Sequence, residues 1–147
     1  MGTLLDTTVF IQLERALREL PASGAMAEVS RRLTRELGAE EEVGMAAITA
    51  SELLHGVHRA SSAHRASREA FVESLLDAFP PIPFDLLAAR AHSRLWSELA
   101  VAGHDVGAHD RLVAATAIAI GWRVATANVR HYERIGSLTL VVPNMSV

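Results

Sequence analysis

Three acidic residues stand where solubility alone does not explain an acid. Asp6, Glu52 and Asp110 each follow the end of a predicted strand or a loop, and each opens a predicted helix. On a helix, Asp110, Ala114 and Ala117 share one face, which is small and apolar enough to pack closely against a sheet. An acid at the head of a buried face costs free energy unless its charge is compensated, and a bound cation does this better than a helix N-terminus. These acids are therefore the first candidates for chemistry.

The elements that position these acids alternate along the chain. Short apolar segments predict strands over 2–6, 43–48, 122–126 and 138–142, and the proline-rich stretch 80–84 predicts an edge strand. Apolar periodicity predicts helices over 7–20, 25–37, 53–57, 63–79, 85–101 and 107–121, and a short helix or turn over 128–134. This pattern predicts an α/β fold with a short, mostly parallel central sheet flanked by helices on both faces.

In such a sheet, the carboxyl ends of neighbouring strands lie on one edge, where ligands bind. Asp6 and Glu52 are expected at that edge, and Asp110 is expected to reach it from a helix N-terminus. Three converging carboxylates would raise at least one pKa by mutual repulsion, and a hard divalent cation removes that problem. Mg²⁺ prefers oxygen ligands, and it can activate water for attack on a phosphodiester.

Each acid also has an ordinary structural explanation. Asp6 is a good helix N-cap, Thr49-x-x-Glu52 matches a capping box, and Asp110 suits a first helical turn. For any one of the three acids, this structural explanation is about as good as the explanation that the acid belongs to a functional site. Taken together the structural explanations are weaker, because Gly56 and Ala114 follow Glu52 and Asp110 by four residues and leave room beside each carboxylate.

Composition limits the class of protein. The length of 147 residues and the 50% hydrophobic content predict one globular domain over 1–147. The absence of cysteine excludes disulfides and thiolate metal sites and fits a reducing cytoplasm. No signal peptide or membrane-spanning run is evident. The net charge is −3, and all 14 basic residues are arginine, so any nucleic-acid contact depends on local patches.

Four motifs in order then carry a family resemblance. They are Leu4-Leu5-Asp6-Thr7, the segment 49–56 (TASELLHG), the segment 110–117 (DRLVAATA) and the segment 125–132 (ATANVRHY). The chain resembles PIN-domain ribonucleases, most closely the VapC-type toxins of bacterial toxin–antitoxin pairs, over essentially its whole length. The resemblance implies a PIN-like fold and Mg²⁺- or Mn²⁺-dependent endoribonuclease activity.

The same resemblance implies that Asp6, Glu52 and Asp110 are the catalytic and metal-ligating residues. The implied substrate is a single-stranded or loop region of tRNA, rRNA or mRNA. The implied protein partners are a second copy of the chain and a small antitoxin, in a heterotetramer or larger assembly. The predicted helices 25–37 and 63–79 are expected to supply an apolar groove for an antitoxin helix.

The chain departs from the family at a fourth position. PIN proteins often carry another acid in the segment where this chain has Asn128 and His131. Asn128 can still ligate or orient a metal-bound water, whereas His131 is a poorer ligand for a hard cation and could instead meet RNA. Thr8 and Thr126 are candidates to hydrogen-bond the carboxylates or metal-bound waters.

The sequence also allows other interpretations than a nuclease. One is a PIN-fold binding module with weak or no catalysis, which acts through partner assembly. Another is a histidine site, since His55-x-x-His58 lies on one helical turn and His104-Asp105 with His109-Asp110 is similar to HD-type phosphohydrolases, but the predicted strands disfavour an all-helical scaffold. The arginine groups Arg59, Arg65 and Arg68, and Arg130 and Arg134, could bind phosphates or simply be solvated. Trp96 and Trp122 are predicted to be core residues, and Glu40-Glu41-Glu42 a solvated turn.

Overall fold

A parallel five-stranded sheet forms the centre of the computed structural model, which describes residues 2–146, with Ala22 by its backbone alone. The strands are β1 Gly2–Leu5, β2 Glu42–Ala46, β3 Pro81–Ile82, β4 Arg123–Ala125 and β5 Leu140–Val141. Their order is β3-β2-β1-β4-β5, and every neighbouring pair is parallel. The predicted α/β class, the parallel sheet and the edge position of the proline-rich strand are confirmed.

Six α-helices connect the strands within residues 2–146. They are α1 Thr7–Ala16, α2 Ala22–Leu37, α3 Ala47–Arg59, α4 Arg65–Ala78, α5 Leu86–Ala102 and α6 Ala108–Ile120, and a 3₁₀ turn follows at Val129–His131. None of the described helices is long and apolar enough to cross a membrane.

Successive strand residues feed two separate cores because side chains alternate across a sheet. Leu5 lies in the core beneath α1–α4, and Leu4 lies in the core beneath α5 and α6. Helix α6 contacts this second core through small residues, among them Ala114 and Ala117, both fully buried. The helix begins after Gly107 and ends at Gly121, whose φ of 71° is a left-handed C-cap. The predicted close packing of this helix is confirmed.

Three predicted boundaries are wrong, those of α1, β2 and α3. Helix α1 ends at Ala16 rather than near residue 20, and the chain turns before Pro21. Strand β2 ends at Ala46, two residues early, because α3 already begins at Ala47 rather than near residue 53. Glu52 therefore lies in the second turn of α3 and does not open it as expected. Thr49 also lies inside the helix, its buried hydroxyl has no hydrogen-bond partner, and the capping box that offered an alternative explanation of Glu52 does not form.

Two predictions about single side chains are also wrong. Trp96 is 56% exposed, because it lies on the flank of α5 rather than on the face that carries buried Leu95 and Leu99. Glu41 is not simply solvated, because it accepts a hydrogen bond from the Thr3 hydroxyl at 2.7 Å. By contrast Trp122 packs against the core, and a Cβ added at Gly2 would lie 2.0 Å from its indole ring.

Candidate active site

The candidate site lies where the path of the chain across the sheet reverses. From β1 the chain builds β2 and β3 on one side, then returns to place β4 and β5 on the other. Crevices at the carboxyl ends of strands on either side of such a reversal are the usual ligand sites of parallel sheets. Asp6 directly follows β1, and Thr126 directly follows β4, which pairs with β1.

Asp6 is held rigidly at the start of α1. Its Oδ1 accepts hydrogen bonds from the backbone N–H groups of Thr8 at 3.0 Å and Val9 at 3.4 Å, and from the Thr8 hydroxyl. The Thr126 hydroxyl donates to its Oδ2 at 2.7 Å. Asp6 is only 4% exposed, so its carboxylate is both the N-cap of α1 and a buried, fixed charge.

The predicted polar residues Thr8 and Thr126 both contact this carboxylate. The Thr8 hydroxyl also accepts from the backbone N–H of Ala127 at 3.0 Å, and the Thr126 hydroxyl accepts from the N–H of Asn128 at 2.9 Å. The loop that follows β4 is thereby fastened to the start of α1. This is the contact expected of residues that orient a carboxylate.

Asp110 enters from the first turn of α6 and is partly buried. The Tyr132 hydroxyl donates to its Oδ1 at 3.3 Å, and Nδ1 of His131 lies 3.1 Å from its Oδ2. Burial raises the pKa of the Asp110 carboxyl above its ordinary value, the contacts with His131 and Tyr132 oppose that rise, and the charges of Asp6 and Glu52 add to it. Asp6 and Glu52 therefore both lie within electrostatic reach of Asp110.

Sequence reasoning missed Tyr132, although it lies in a quoted motif. Its side chain is 1% exposed, and its hydroxyl is aimed at Asp110. Burial, and then the nearby charges of Asp6 and Asp110, raise the pKa of Tyr132, so the phenol stays protonated and can only donate to the acids. The available signal was its position next to His131, in an otherwise polar segment.

His131 and Asn128 form a chain of contacts that ends on Asp110. Nδ2 of Asn128 lies 2.9 Å from Nε2 of His131. Because an amide nitrogen only donates, Nε2 accepts, and the imidazole proton is then on Nδ1, facing Asp110. Asn128 therefore meets the acids through His131 rather than directly.

Glu52 lies on α3 and is the most exposed of the three acids, with its side chain 33% exposed. The Thr7 hydroxyl donates to its Oε1 at 2.9 Å, and Nδ1 of His109 is 3.6 Å from its Oε2. The hydrogen bond from Thr7 joins α3 to the start of α1, next to Asp6. His109 precedes Asp110 on α6, so Glu52 also contacts the element that carries the third acid.

Asp6, Glu52 and Asp110 lie at the same crevice, but their side chains are not close enough together to form a group of three metal ligands. Within residues 2–146, no group of three His, Cys, Asp or Glu side chains is spaced closely enough to hold a metal ion. This also disfavours the histidine site, since His55 and His58 are exposed on α3. The arrangement offers fixed carboxylate charge, hydroxyl donors and an imidazole at one crevice, the groups that act on a phosphate ester through a cation.

Comparison with known proteins supplies the last observation. A family model described as PIN domain matches residues 3–137. The chain is 30% identical over 142 residues to ribonuclease VapC1 of Rickettsia felis, covering 96% of each chain. It is 27% identical to the tRNA(fMet)-specific endonuclease VapC of Shigella flexneri, covering 92% of each. The solved structure of VapBC-5 from Mycobacterium tuberculosis, from the VapBC family of toxin–antitoxin systems, is similar with a TM-score of 0.69 and 29% identity, over 96% of this chain and 98% of that one.

Proposed function

Because this chain belongs to the PIN-domain family, and within it to the VapC ribonucleases, we propose that it is a metal-dependent endoribonuclease toxin neutralised by a cognate antitoxin. The observation that carries the proposal is the Asp110 carboxyl, whose pKa is raised by burial and by two further acids at the same crevice. Negative charge concentrated in this way suits a bound cation, which then acts on an RNA phosphodiester.

The proposed metal ligands are Asp6, Glu52 and Asp110, and the proposed ion is Mg²⁺, with Mn²⁺ as an alternative. The donor set fits such an ion by its chemistry, since hard divalent cations take carboxylate oxygens. Asp6 is fixed by four donors, whereas Glu52 and Asp110 are partly exposed and held by fewer contacts. Asp6, Glu52 and Asp110 would together hold the ion, although within residues 2–146 they do not form a close group of three ligands.

Other residues of the chain then have defined tasks. Thr8 and Thr126 hold the Asp6 carboxylate in its orientation by donating to it. Tyr132 and His131 hold the Asp110 carboxylate in the crevice, where it would be available to a bound ion. When bound, the metal would supply an activated water and stabilise charge on the phosphodiester. No second metal is proposed, because Asn128 and His131 occupy the segment where a further acid is frequent in the family.

RNA is the proposed substrate, in a single-stranded or loop region of tRNA, rRNA or mRNA, and the cytoplasm is the proposed location. The relative from Shigella flexneri is named for cleavage of one tRNA, which makes tRNA the first substrate to test. The proposed oligomer is a homodimer, in a heterotetramer or larger assembly with antitoxin.

The antitoxin is proposed to dock in a cleft of about 420 Å³ between α1, α2 and α4. Apolar side chains on its wall include Leu17, Met26 and Phe71, and Arg18 lies at the same cleft. This surface suits the apolar face of a helix with an acid at its edge. It also matches the two helices expected from the sequence to supply such a groove.

A second candidate is a PIN-fold binding module without effective catalysis. The specific observation that favours it is the absence of a close group of three ligands in residues 2–146. Such a module would bind its partner protein without saturable, Asp110-dependent Mn²⁺ binding. It would also leave RNA intact at any metal concentration.

Cleavage of labelled RNA by the purified protein tests the proposal, with Asp6→Asn as the main variant. Asparagine caps a helix as well as aspartate does, so the fold should persist while the charge is lost. We expect Asp6→Asn and excess EDTA each to abolish cleavage, and the exposed control Asp77→Asn on α4 to cleave normally. Full activity of Asp6→Asn, or of the wild type in EDTA, would overturn the proposed mechanism.

A further inference from the structure

An aromatic strip lies on the flank of α5 and is separate from both cores. It consists of Phe84, His92 and Trp96, whose rings contact in sequence at centroid distances of 5.9 and 5.6 Å. Phe84 is 41% exposed and Trp96 is 56% exposed. An indole left this open to water is uncommon, because tryptophan gains much free energy from burial. The strip therefore presents ring surface that nothing in residues 2–146 covers.

Arg111 lies over this strip in an unusual state. Its guanidinium carbon is 5.3 Å from the centroid of the Trp96 ring, a cation–π geometry. Its Nη1 donates to the backbone carbonyl of Val106 at 2.5 Å, and its buried Nε has no hydrogen-bond partner. Among the described residues, no carboxylate forms an ion pair with Arg111. A positive charge is thus held in place without a compensating anion.

The three rings of the strip carry no charge, and Arg111 is the charged side chain that lies over them. Burial, and then the charge of Arg111, lower the pKa of His92, so its imidazole is neutral at neutral pH. Arg111 directly follows Asp110 in the first turn of α6, so the strip lies at the same end of that helix as the candidate site. A flat apolar surface and an unpaired cation therefore meet at the start of α6.

We propose that Trp96 and Arg111 form a nucleotide clamp, in which the indole stacks on an unpaired base of the substrate and the guanidinium meets its phosphate. The clamp rests on the proposed RNA cleavage and adds a subsite for one nucleotide of the substrate at the start of α6. Single-stranded RNA is held in this way because every base has a face that stacks on an aromatic ring, and the Nη hydrogens of Arg111 that Val106 does not use can donate to a phosphate.

A second copy of the chain is the other occupant to consider, and the strip fits it less well. A stable protein interface buries roughly 800 Å² on each partner, so it would have to extend beyond the three rings to other exposed residues of α5, such as Leu86 and Leu87. A protein interface would also have to leave the Arg111 charge unpaired or bring an acid to it. A nucleotide satisfies both the ring and the charge with one ligand.

Binding of a short fluorescein-labelled single-stranded oligoribonucleotide, measured by anisotropy in EDTA, tests the clamp without cleavage. We expect Trp96→Ala to weaken binding about tenfold and Trp96→Phe to retain most of the affinity, because phenylalanine keeps a stacking face. An oligoribonucleotide with abasic sites should bind wild type and Trp96→Ala equally. The affinity of Arg111→Gln should depend less steeply on salt. The magnitude of the slope of log affinity against log salt concentration should fall by about one, as expected for the loss of one phosphate contact.

Val101→Ala is the matched control, because Val101 is 88% exposed on the same helix and should leave affinity unchanged. Thermal denaturation of each variant confirms that it is folded. Equal affinity of wild type and Trp96→Ala for intact RNA would overturn the clamp, as would a wild type that binds no RNA. Loss of a dimer in Trp96→Ala, seen by sedimentation with RNA affinity unchanged, would assign the strip to a second copy instead. Wild-type binding without cleavage when Mg²⁺ is added would overturn the proposed function and leave the clamp standing.

Discussion

At the scale of single residues, the site depends on how each carboxylate is compensated. Both oxygens of Asp6 accept hydrogen bonds from backbone or hydroxyl donors within the fold. Asp110 is only partly compensated, by the phenol of Tyr132 and the imidazole of His131. This contrast marks Asp110 as the acid that gains most from a cation.

Replacing Tyr132 with phenylalanine tests this view of Asp110. Burial raises the pKa of Asp110, and the Tyr132 hydroxyl opposes the rise because it donates to the ionised form. In metal-free protein, carbon-13 NMR titration should show an Asp110 pKa above the ordinary value, and Tyr132→Phe should move it higher still. A pKa that falls or stays the same in the variant would show that the hydroxyl does not support the carboxylate.

Two substitutions at Asp6 separate its cap from its charge. Asp6→Asn keeps an N-cap acceptor, so its free energy of unfolding should stay within about 0.5 kcal/mol of wild type. Asp6→Ala removes the acceptor of the Thr8 and Val9 N–H groups and should cost about 1–2 kcal/mol. Urea denaturation measures both, and equal stability of the two variants would contradict the capping role.

At the scale of elements, strand and helix types followed from the sequence more readily than their ends. The apolar runs and the glycines flanking α6 predicted the sheet and its central helix. The start of α3 was predicted six residues too late, near residue 53, because the segment 47–52 carries no clear local signal for a start at Ala47, and the helix begins directly where β2 ends. Trp96 misled the prediction because an apolar periodicity does not say which flank of a helix stays open.

Replacing two different glycines with alanine should change the stability of the protein in opposite directions. A Cβ at Gly2 would lie 2.0 Å from the Trp122 ring, so Gly2→Ala should destabilise by about 1–3 kcal/mol through overpacking. Gly24 lies in α2 with nothing within 4 Å, so Gly24→Ala should stabilise by up to about 1 kcal/mol. Thermal denaturation of both variants tests this, and the same sign of shift in both would contradict the packing of Trp122 on β1.

At the scale of the whole molecule, the end of the chain returns to α2. The backbone N–H of Asn144 donates to Glu36 at 2.9 Å, and Arg32 donates to the carbonyl of Met145 at 2.6 Å. Met145 itself is fully buried in the core beneath α1–α4. The last strand is thereby held against a helix early in the chain.

Glu36 should make this attachment sensitive to acid. The Asn144 N–H, and then the Arg35 side chain, lower the pKa of Glu36 in the folded protein. Its contribution to stability is therefore complete above the ordinary glutamate pKa and lost as pH falls toward the lowered folded value. Urea midpoints of wild type and Glu36→Gln should differ at neutral pH and converge in acid. A difference that persists unchanged in acid would contradict the linkage.

The approach of Asp6 and Asp110 was predictable because each lies at the start of a helix, and helix starts meet at the carboxyl edge of a parallel sheet. Glu52 reaches the same crevice from the second turn of α3. Tyr132 was not predictable, because a buried phenol next to a polar segment shows its partner only after the chain is folded. The open side of Trp96 and the unpaired charge of Arg111 were hidden for the same reason, since both depend on how α5 lies against α6.

Titration calorimetry with Mn²⁺ tests the proposed metal centre most directly. The wild type should bind with a saturable isotherm, Asp6→Asn and Asp110→Asn should each weaken it strongly, and Asp77→Asn should match the wild type. Binding that is absent in the wild type, or unchanged in both site variants, would contradict a metal held by these carboxylates.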